Sequence, residues 1–357
     1  MANADGLRVL VVGLGSIGGT LSALIREAEV PGVARVVGYA RNPELLAVLR
    51  DRGFVLGGLE PRREVPADVV GDLAELDGVF DFIVLAVPPT GVEAAAESTV
   101  HLLAEHGAMV CLQNGLCEDR VARIAGPERV LGAVVAWGAE SPEPGEYPRT
   151  AQGGFFIGRM DAAQDARLLE LATLLAPVGP VEVTENLAGA RWSKLALNSV
   201  VSTLGTIGGD RLGVLMRLRV VRRLALEIIS ETVAVAEAEG VQLEKVAGAL
   251  DLPWLALTPA ERASSGSASL VAKHSLLLAV GTRYRRMRSS MLYALERGRE
   301  PPVDFLNGEV VAAGERHGIP TPVNRLAWSY VKQMARGERA PGHEQVRELG
   351  EALGLKV

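Results

Sequence analysis

The chain has only two cysteines, Cys111 and Cys117, with no second Cys or His pair to match them. Such a pair signals neither a zinc site nor a disulfide framework, and a reducing compartment suits it. The five histidines (His101, His106, His274, His317 and His343) contain no metal-spaced pair, so no metal site is expected. Aromatic residues make up 4% of the sequence, which leaves Ala, Val and Leu to build the core. An excess of positive charge is also missing. Against 43 Asp and Glu there are 37 Lys and Arg, and the net charge of −6 argues against bulk electrostatic binding of nucleic acid. Long apolar runs are scarce. Residues 9–25 are uncharged, but the stretch is short for a membrane span and glycines interrupt it. Elsewhere Lys or Arg breaks each apolar run, as at Lys273. A cytoplasmic protein with no membrane or nucleic-acid partner is the expectation.

What remains is an ordinary globular composition, 48% hydrophobic and 22% charged. At about 150 residues per domain, a chain of 357 residues suggests roughly two domains. The first half alternates between β-rich runs (8–12, 34–39, 81–87, 108–112 and 129–135) and helical stretches (to about 26, 43–52 and 93–105). Strands alternating with helices predict a parallel, doubly wound sheet. Residues 138–158 read as loops and hairpin-like strands. Beyond Asn186 the Ala/Leu/Val-rich stretches 188–204, 213–240, 267–281, 305–317 and 322–334 predict helices. The fold class is therefore α/β, an N-terminal Rossmann domain over residues 1–184 and a C-terminal all-helical domain over 185–357. The low-complexity patch 263–268 reads as a mobile loop.

Gly13-Leu-Gly15-Ser-Ile-Gly18 matches G-x-G-x-x-G directly after a predicted strand and at the opening of a helix. The first glycine permits the tight turn, the second lets backbone approach a pyrophosphate, and the third allows close helix–strand packing. The helix start then faces the anion with free N–H groups. Gly13, Gly15, Ser16, Ile17 and Gly18 are thus the expected dinucleotide loop. The end of the second strand reads Tyr39-Ala40-Arg41-Asn42, with no acid to accept from a ribose 2′-OH. Arg41 suits a 2′-phosphate instead, which favours NADP; a solvated arginine is the alternative.

Three further motifs follow. Gln113-Asn114-Gly115 comes after a predicted sheet strand, where ligands sit in open α/β folds. Arg191-Trp192-Ser-Lys194-Leu-Ala-Leu-Asn198 places Lys194 and Asn198 one turn apart on one helix face. Ser289-Ser290-Met291-Leu292 leads to Val303-Asp304-Phe-Leu-Asn307-Gly308 and then to His317-Gly-Ile-Pro320-Thr321-Pro322-Val-Asn324. In this order the motifs resemble the ketopantoate reductase (2-dehydropantoate 2-reductase) family over almost the whole chain.

The resemblance implies NADPH-dependent reduction of a small-molecule 2-oxo acid in a cleft between two domains. By the same match Lys194 is the catalytic lysine that protonates or polarises the developing alkoxide. Asn198 binds substrate or orients the lysine, Asn114 lies near nicotinamide and substrate, and Ser290 donates to the substrate carboxylate. A positioned ammonium suits that step, because hydride arrival builds negative charge on oxygen. Outside the motif, Lys194 reads as a lysine snorkelling along an apolar helix. A homodimer joined through the helical domain is also expected.

The departures from the family pattern cluster in the substrate site. Pro302 stands where the family has a functional glutamate, with Glu300 nearby, and Pro88 stands where it often has a lysine. Ser202 and Leu212 stand for asparagines, and Tyr293-Ala294 for Gln-Asp. Losing groups that read a small hydroxylated acid suggests a less polar or larger substrate, such as another 2-oxo acid, a ketone or an imine. A protein that binds NADP without catalysis is the other reading, which the intact Lys194 and Asn198 oppose. The basic run 283–288 reads as a steering patch, a solvated face or an interface, and Trp137 as pocket lining or core.

Overall fold

The computed structural model describes residues 6–245, 250–264 and 266–355. The chain divides into two compact units, Met1–Gln113 with Cys117–Leu187, and Asn114–Leu116 with Ala188–Val357.

The first unit is built on β1 (Leu7–Val12), followed by α1 (Ser16–Glu27), β2 (Val33–Tyr39) and α2 (Pro43–Arg52). Next come β3 (Phe54–Gly58), β4 (Arg63–Val65), β5 (Val69–Val70) and β6 (Phe80–Leu85). Then follow α3 (Val92–Thr99), β7 (Leu103–Cys111), α4 (Glu118–Ala125) and β8 (Val130–Val135). The unit ends with β9 (Gly138–Ala139), β10 (Glu146–Ala151), β11 (Phe155–Gly158), α5 (Arg167–Leu175) and β12 (Val181–Val183). Eight strands form the main sheet in the order β12-β11-β8-β7-β6-β1-β2-β5, parallel except where β11 meets β8. Strand order runs outward from β1 in both directions, which is the doubly wound arrangement with its switch point at β1. β4, β3, β10 and β9 form a second, smaller sheet.

The aliphatic runs of β1, β6 and β8 are buried along most of their length, as parallel strands covered on both faces require. Five of the six phenylalanines fall in this unit. Phe54, Phe80, Phe82, Phe155 and Tyr147 are among the largest fully buried side chains. Trp137 belongs to the same core, edge-on to Phe155, so it packs rather than lines a pocket. The predicted helix over 93–105 is shorter. α3 stops at Thr99, and Leu103 pairs with Phe80 in the sheet; β-branched Thr99 and Val100 weaken the helical alternative.

The second unit is helical: α6 (Leu187–Gly208), α7 (Leu212–Leu215), α8 (Arg219–Ala238), α9 (Leu252–Leu255) and α10 (Pro259–Ala263). α11 (Ala268–Arg283), α12 (Ser290–Glu296), α13 (Asn307–His317), α14 (Pro322–Ala335) and α15 (His343–Ala352) complete it. The predicted helix over 213–240 is broken into α7 and α8. Arg222 turns its guanidinium back onto the carbonyls of Met216 (2.5 Å) and Arg217 (2.9 Å), satisfying acceptors that a corner would leave bare. α8 is the central element, with fifteen buried residues, and its Leu224, Ile228 and Val235 meet Leu204, Val310, Val331 and Leu349 in one aliphatic core. Each such buried side chain contributes about 1.5–3 kcal/mol. The patch 263–268 includes residue 265, which lies outside the described residues. Among the described residues no helix is long and apolar enough to cross a membrane.

Candidate active site

In the first unit the glycine loop leaves β1 and opens α1. Gly13 has φ +97°, and its N–H donates to the Tyr39 carbonyl at 2.9 Å, tying the loop to the end of β2. A Cβ on Gly18 would lie 1.9 Å from the Gly13 oxygen, so the third glycine is sterically required. At Gly15 the opposite holds: nothing lies within 4 Å of a Cβ position. That open side is the room a dinucleotide pyrophosphate needs. α1 has no side-chain cap and no acid in its first turn, so the N–H groups of Ser16, Ile17 and Gly18 face an anion without competition. Arg41 is exposed just beyond β2 and makes no hydrogen bond or ion pair among the described residues. Asn42 beside it caps α2 through Glu44 (2.9 Å) and Leu45. These residues fit a dinucleotide.

Sequence reading missed the strut beneath this loop. Tyr147, on β10, donates its buried hydroxyl to the Leu14 carbonyl at 2.9 Å, from 133 residues away. Burial pushes its pKa upward, which keeps the hydroxyl a donor. Its ring lies where a Cβ on Gly19 would come within 2.1 Å. The second glycine of Gly18-Gly19 is the sequence trace of that contact.

The second unit holds the expected substrate residues. Lys194 and Asn198 lie one turn apart on α6, both half-buried. The Asn198 side-chain Nδ2 is buried and, among the described residues, donates to no protein group. An unmet donor beside a lysine is a place for a ligand oxygen. Asn114 is exposed, and Gly115 after it (φ +97°) seats against Phe305, where a Cβ would come within 2.5 Å of the carbonyl oxygen.

The two serines of the Ser-Ser-Met-Leu motif divide their work. Ser289 is buried, caps α12 at Leu292 (3.1 Å) and donates to the Ser202 carbonyl at 2.8 Å. Thr206 lies 2.9 Å from the same hydroxyl. Ser289 thereby fixes α12 to α6, and Ser290 is left exposed and available to a ligand. Ser202, at a family asparagine position, serves this joint. Leu212 is buried core.

Asp304 accepts from Trp328 (2.6 Å) and Lys332 (2.8 Å), while Glu300 is exposed and reaches only Lys332 at 3.5 Å. Glu300 is therefore spent on the surface, and Pro302 begins the short helical turn that contains Asp304. The basic run is a surface feature too, with Arg288 paired to Glu296 and stacked on Tyr293. Among the described residues no cluster could hold a metal ion.

A doubly wound sheet with an open, uncapped anion-binding turn, and a helical unit carrying lysine and amide donors on one face, define a nicotinamide-dinucleotide oxidoreductase. Two family models cover both units: ketopantoate reductase PanE/ApbA matches residues 9–162, and its C-terminal counterpart matches residues 186–335. The chain belongs to the ketopantoate reductase family. The 2-dehydropantoate 2-reductase of Pyrococcus horikoshii is 23% identical over 328 residues, 91% of this chain and 97% of the relative. That of Archaeoglobus fulgidus is 25% identical over 332 residues, 92% and 98% respectively. A ketopantoate reductase crystal structure from Ralstonia eutropha superposes with a TM-score of 0.76 at 25% identity, covering 93% of this chain and 99% of that one. D-mandelate dehydrogenase with NADH and anilino(oxo)acetate reaches a TM-score of 0.78 over the same shares, at 17% identity, which speaks to fold alone.

Proposed function

We propose that the protein is an NADPH-dependent reductase of an apolar 2-oxo acid, with Lys194 as general acid. The observation that carries this reading is the pairing of Lys194 with an Asn198 donor, unmet among the described residues, on one face of α6. When bound, the reduced nicotinamide supplies the hydride. Lys194 gives its ammonium proton to the carbonyl oxygen as charge builds there, and is reprotonated from solvent. Asn198 Nδ2 holds the substrate oxygen in line, and Ser290 and Asn114 are assigned to the carboxylate and the reacting end. Arg41 is assigned to the 2′-phosphate.

Pro302 offers no polar partner to a hydroxyl of a substrate, so a substrate without one loses no hydrogen bond there. Phenylglyoxylate, the 2-oxo acid related to mandelate, has that chemistry. Absorbance loss of NADPH should be faster with phenylglyoxylate than with ketopantoate. Lys194→Ala should lower kcat by about 10²–10⁴-fold while NADPH still binds. Turnover unchanged by Lys194→Ala would remove the lysine from the mechanism, and a preference for ketopantoate would remove the apolar substrate. We also assign the protein to the cytoplasm as a homodimer. An uncharged exposed stripe on α11, including Val271, Ser275 and Leu278, supports self-association, and light scattering checks it.

A further inference from the structure

Four helices of the second unit meet around a buried polar relay that the reduction step does not itself use. Glu231 on α8 is 5% exposed, and Asn324, Asn307 and Thr203 are fully buried. The Glu231 carboxylate accepts from the N–H groups of Val323 (2.8 Å) and Asn324 (2.9 Å) and from Asn324 Nδ2 (2.8 Å). It can only accept, so it dictates which way the Asn324 amide points. The Asn324 oxygen then faces Asn307, whose Nδ2 donates to it at 2.9 Å and to the Ser199 carbonyl at 3.3 Å. That leaves the Asn307 oxygen to accept from the Thr203 hydroxyl. Asn324 Nδ2 also donates to the Ile228 carbonyl at 3.3 Å, so Glu231 and two backbone carbonyls, all acceptors, fix the amide orientations together, and the relay ends on α6 at Ser199 and Thr203.

Ser199 is the residue after Asn198. Because Asn198 Nδ2 has no protein partner among the described residues, no side-chain bond from them sets its aim. Its direction follows from the α6 backbone beneath it. Burial of a carboxylate is a poor way to gain stability, and its attested use is to enforce one arrangement. We infer that Glu231, through Asn324 and Asn307, is a positioning residue that fixes the α6 turn carrying Asn198 and so aims the substrate site. The inference rests on the reading of Lys194 and Asn198 given above.

Hydrogen exchange and kinetics on the full chain separate the two. Thr203→Val keeps the volume and removes the hydroxyl, Thr203→Ser restores the hydroxyl, and Glu231→Gln reverses one acceptor. Thr203→Val and Glu231→Gln should speed amide exchange over residues 198–206. They should lower kcat for phenylglyoxylate roughly tenfold, with the KM for NADPH within about twofold of the parent. Thr203→Ser should return both to near parental values. Unchanged exchange in Thr203→Val overturns the inference even where Glu231→Gln fails to fold. Faster exchange with unchanged kcat, in a protein that Lys194→Ala inactivates, overturns it as well. Activity that survives Lys194→Ala overturns instead the lysine assignment, and the exchange result still decides whether the relay holds α6.

Discussion

Arg41 and Pro302 carry the two sharpest consequences at the scale of single residues. Arg41 is exposed with no carboxylate paired to it, so its guanidinium is free to fork onto a phosphate. Arg41→Ala should raise the KM for NADPH roughly tenfold and leave that for NADH nearly unchanged. Equal losses with both cofactors would sink the phosphate assignment. Pro302→Glu introduces a carboxylate acceptor at this turn and should raise kcat/KM for ketopantoate relative to phenylglyoxylate by about tenfold or more. Lys194 and Asn198 are legible in the sequence because a helical spacing of four is local. Ser289 is not legible as the buried anchor, since two adjacent serines look alike until Ser202 and Thr206 are brought against one of them. Glu231, Asn307 and Asn324 are hidden for a stronger reason. The bonds that tie Asn324 to Glu231 and Asn307 to α6 span about a hundred positions in sequence, and no local pattern reports such a distance.

At the scale of elements, β10 and α1 explain the order of the glycine loop better than the loop does. The buried Tyr147 hydroxyl and ring hold Leu14 and Gly19 from below. Tyr147→Phe should cost about 1 kcal/mol, the worth of one buried hydrogen bond. Gly19→Ala should cost more, about 1–3 kcal/mol, because ring and helix cannot both keep their places. Both should weaken dinucleotide binding, and thermal unfolding with and without NADPH measures both effects. The main sheet could be read from its aliphatic runs, because parallel strands covered on both faces are continuous in sequence. Of the second sheet only β9 and β10 were legible, as hairpin-like strands within 138–158, while β3 and β4 are too short to stand out. The corner between α7 and α8 was equally hidden, because Arg222 makes it with a side chain in a run of helix formers.

The whole molecule responds to acid in two separable windows. Burial, then the charges of Arg222, Arg219 and Arg223, lower the His274 pKa from 6.5 to about 4. A depressed folded pKa means that the unfolded chain takes up the proton first, so this stability is complete above pH 6.5 and is lost as pH falls toward 4. Glu261 acts lower. Burial opposes its ionisation, yet hydrogen bonds from Lys273, Ser269 and Thr258 hold it at about 2 against a usual 4.5. Its contribution is present above pH 4.5 and is lost below it. Glu231 acts in the opposite sense, its burial raising its pKa, so variants are compared with the parent at each pH. His274→Gln should flatten the fall in melting temperature between pH 6.5 and 4.5 and leave the fall below 4.5 in place. A parental slope retained between those limits would remove His274 as its source.

The tripeptide Asn114–Leu116 clusters with the helical unit although residues of the first unit, Gln113 and Cys117, flank it on both sides. Gln113 before it is held by the Leu85 and Val87 carbonyls, while Leu116 packs against the helical core. No single cut therefore separates the halves. An exchange of helical halves between family members has to carry a matched tripeptide with it, or Gly115 loses its seat on Phe305. The two halves are therefore not separable modules: each holds chain that the other unit interrupts.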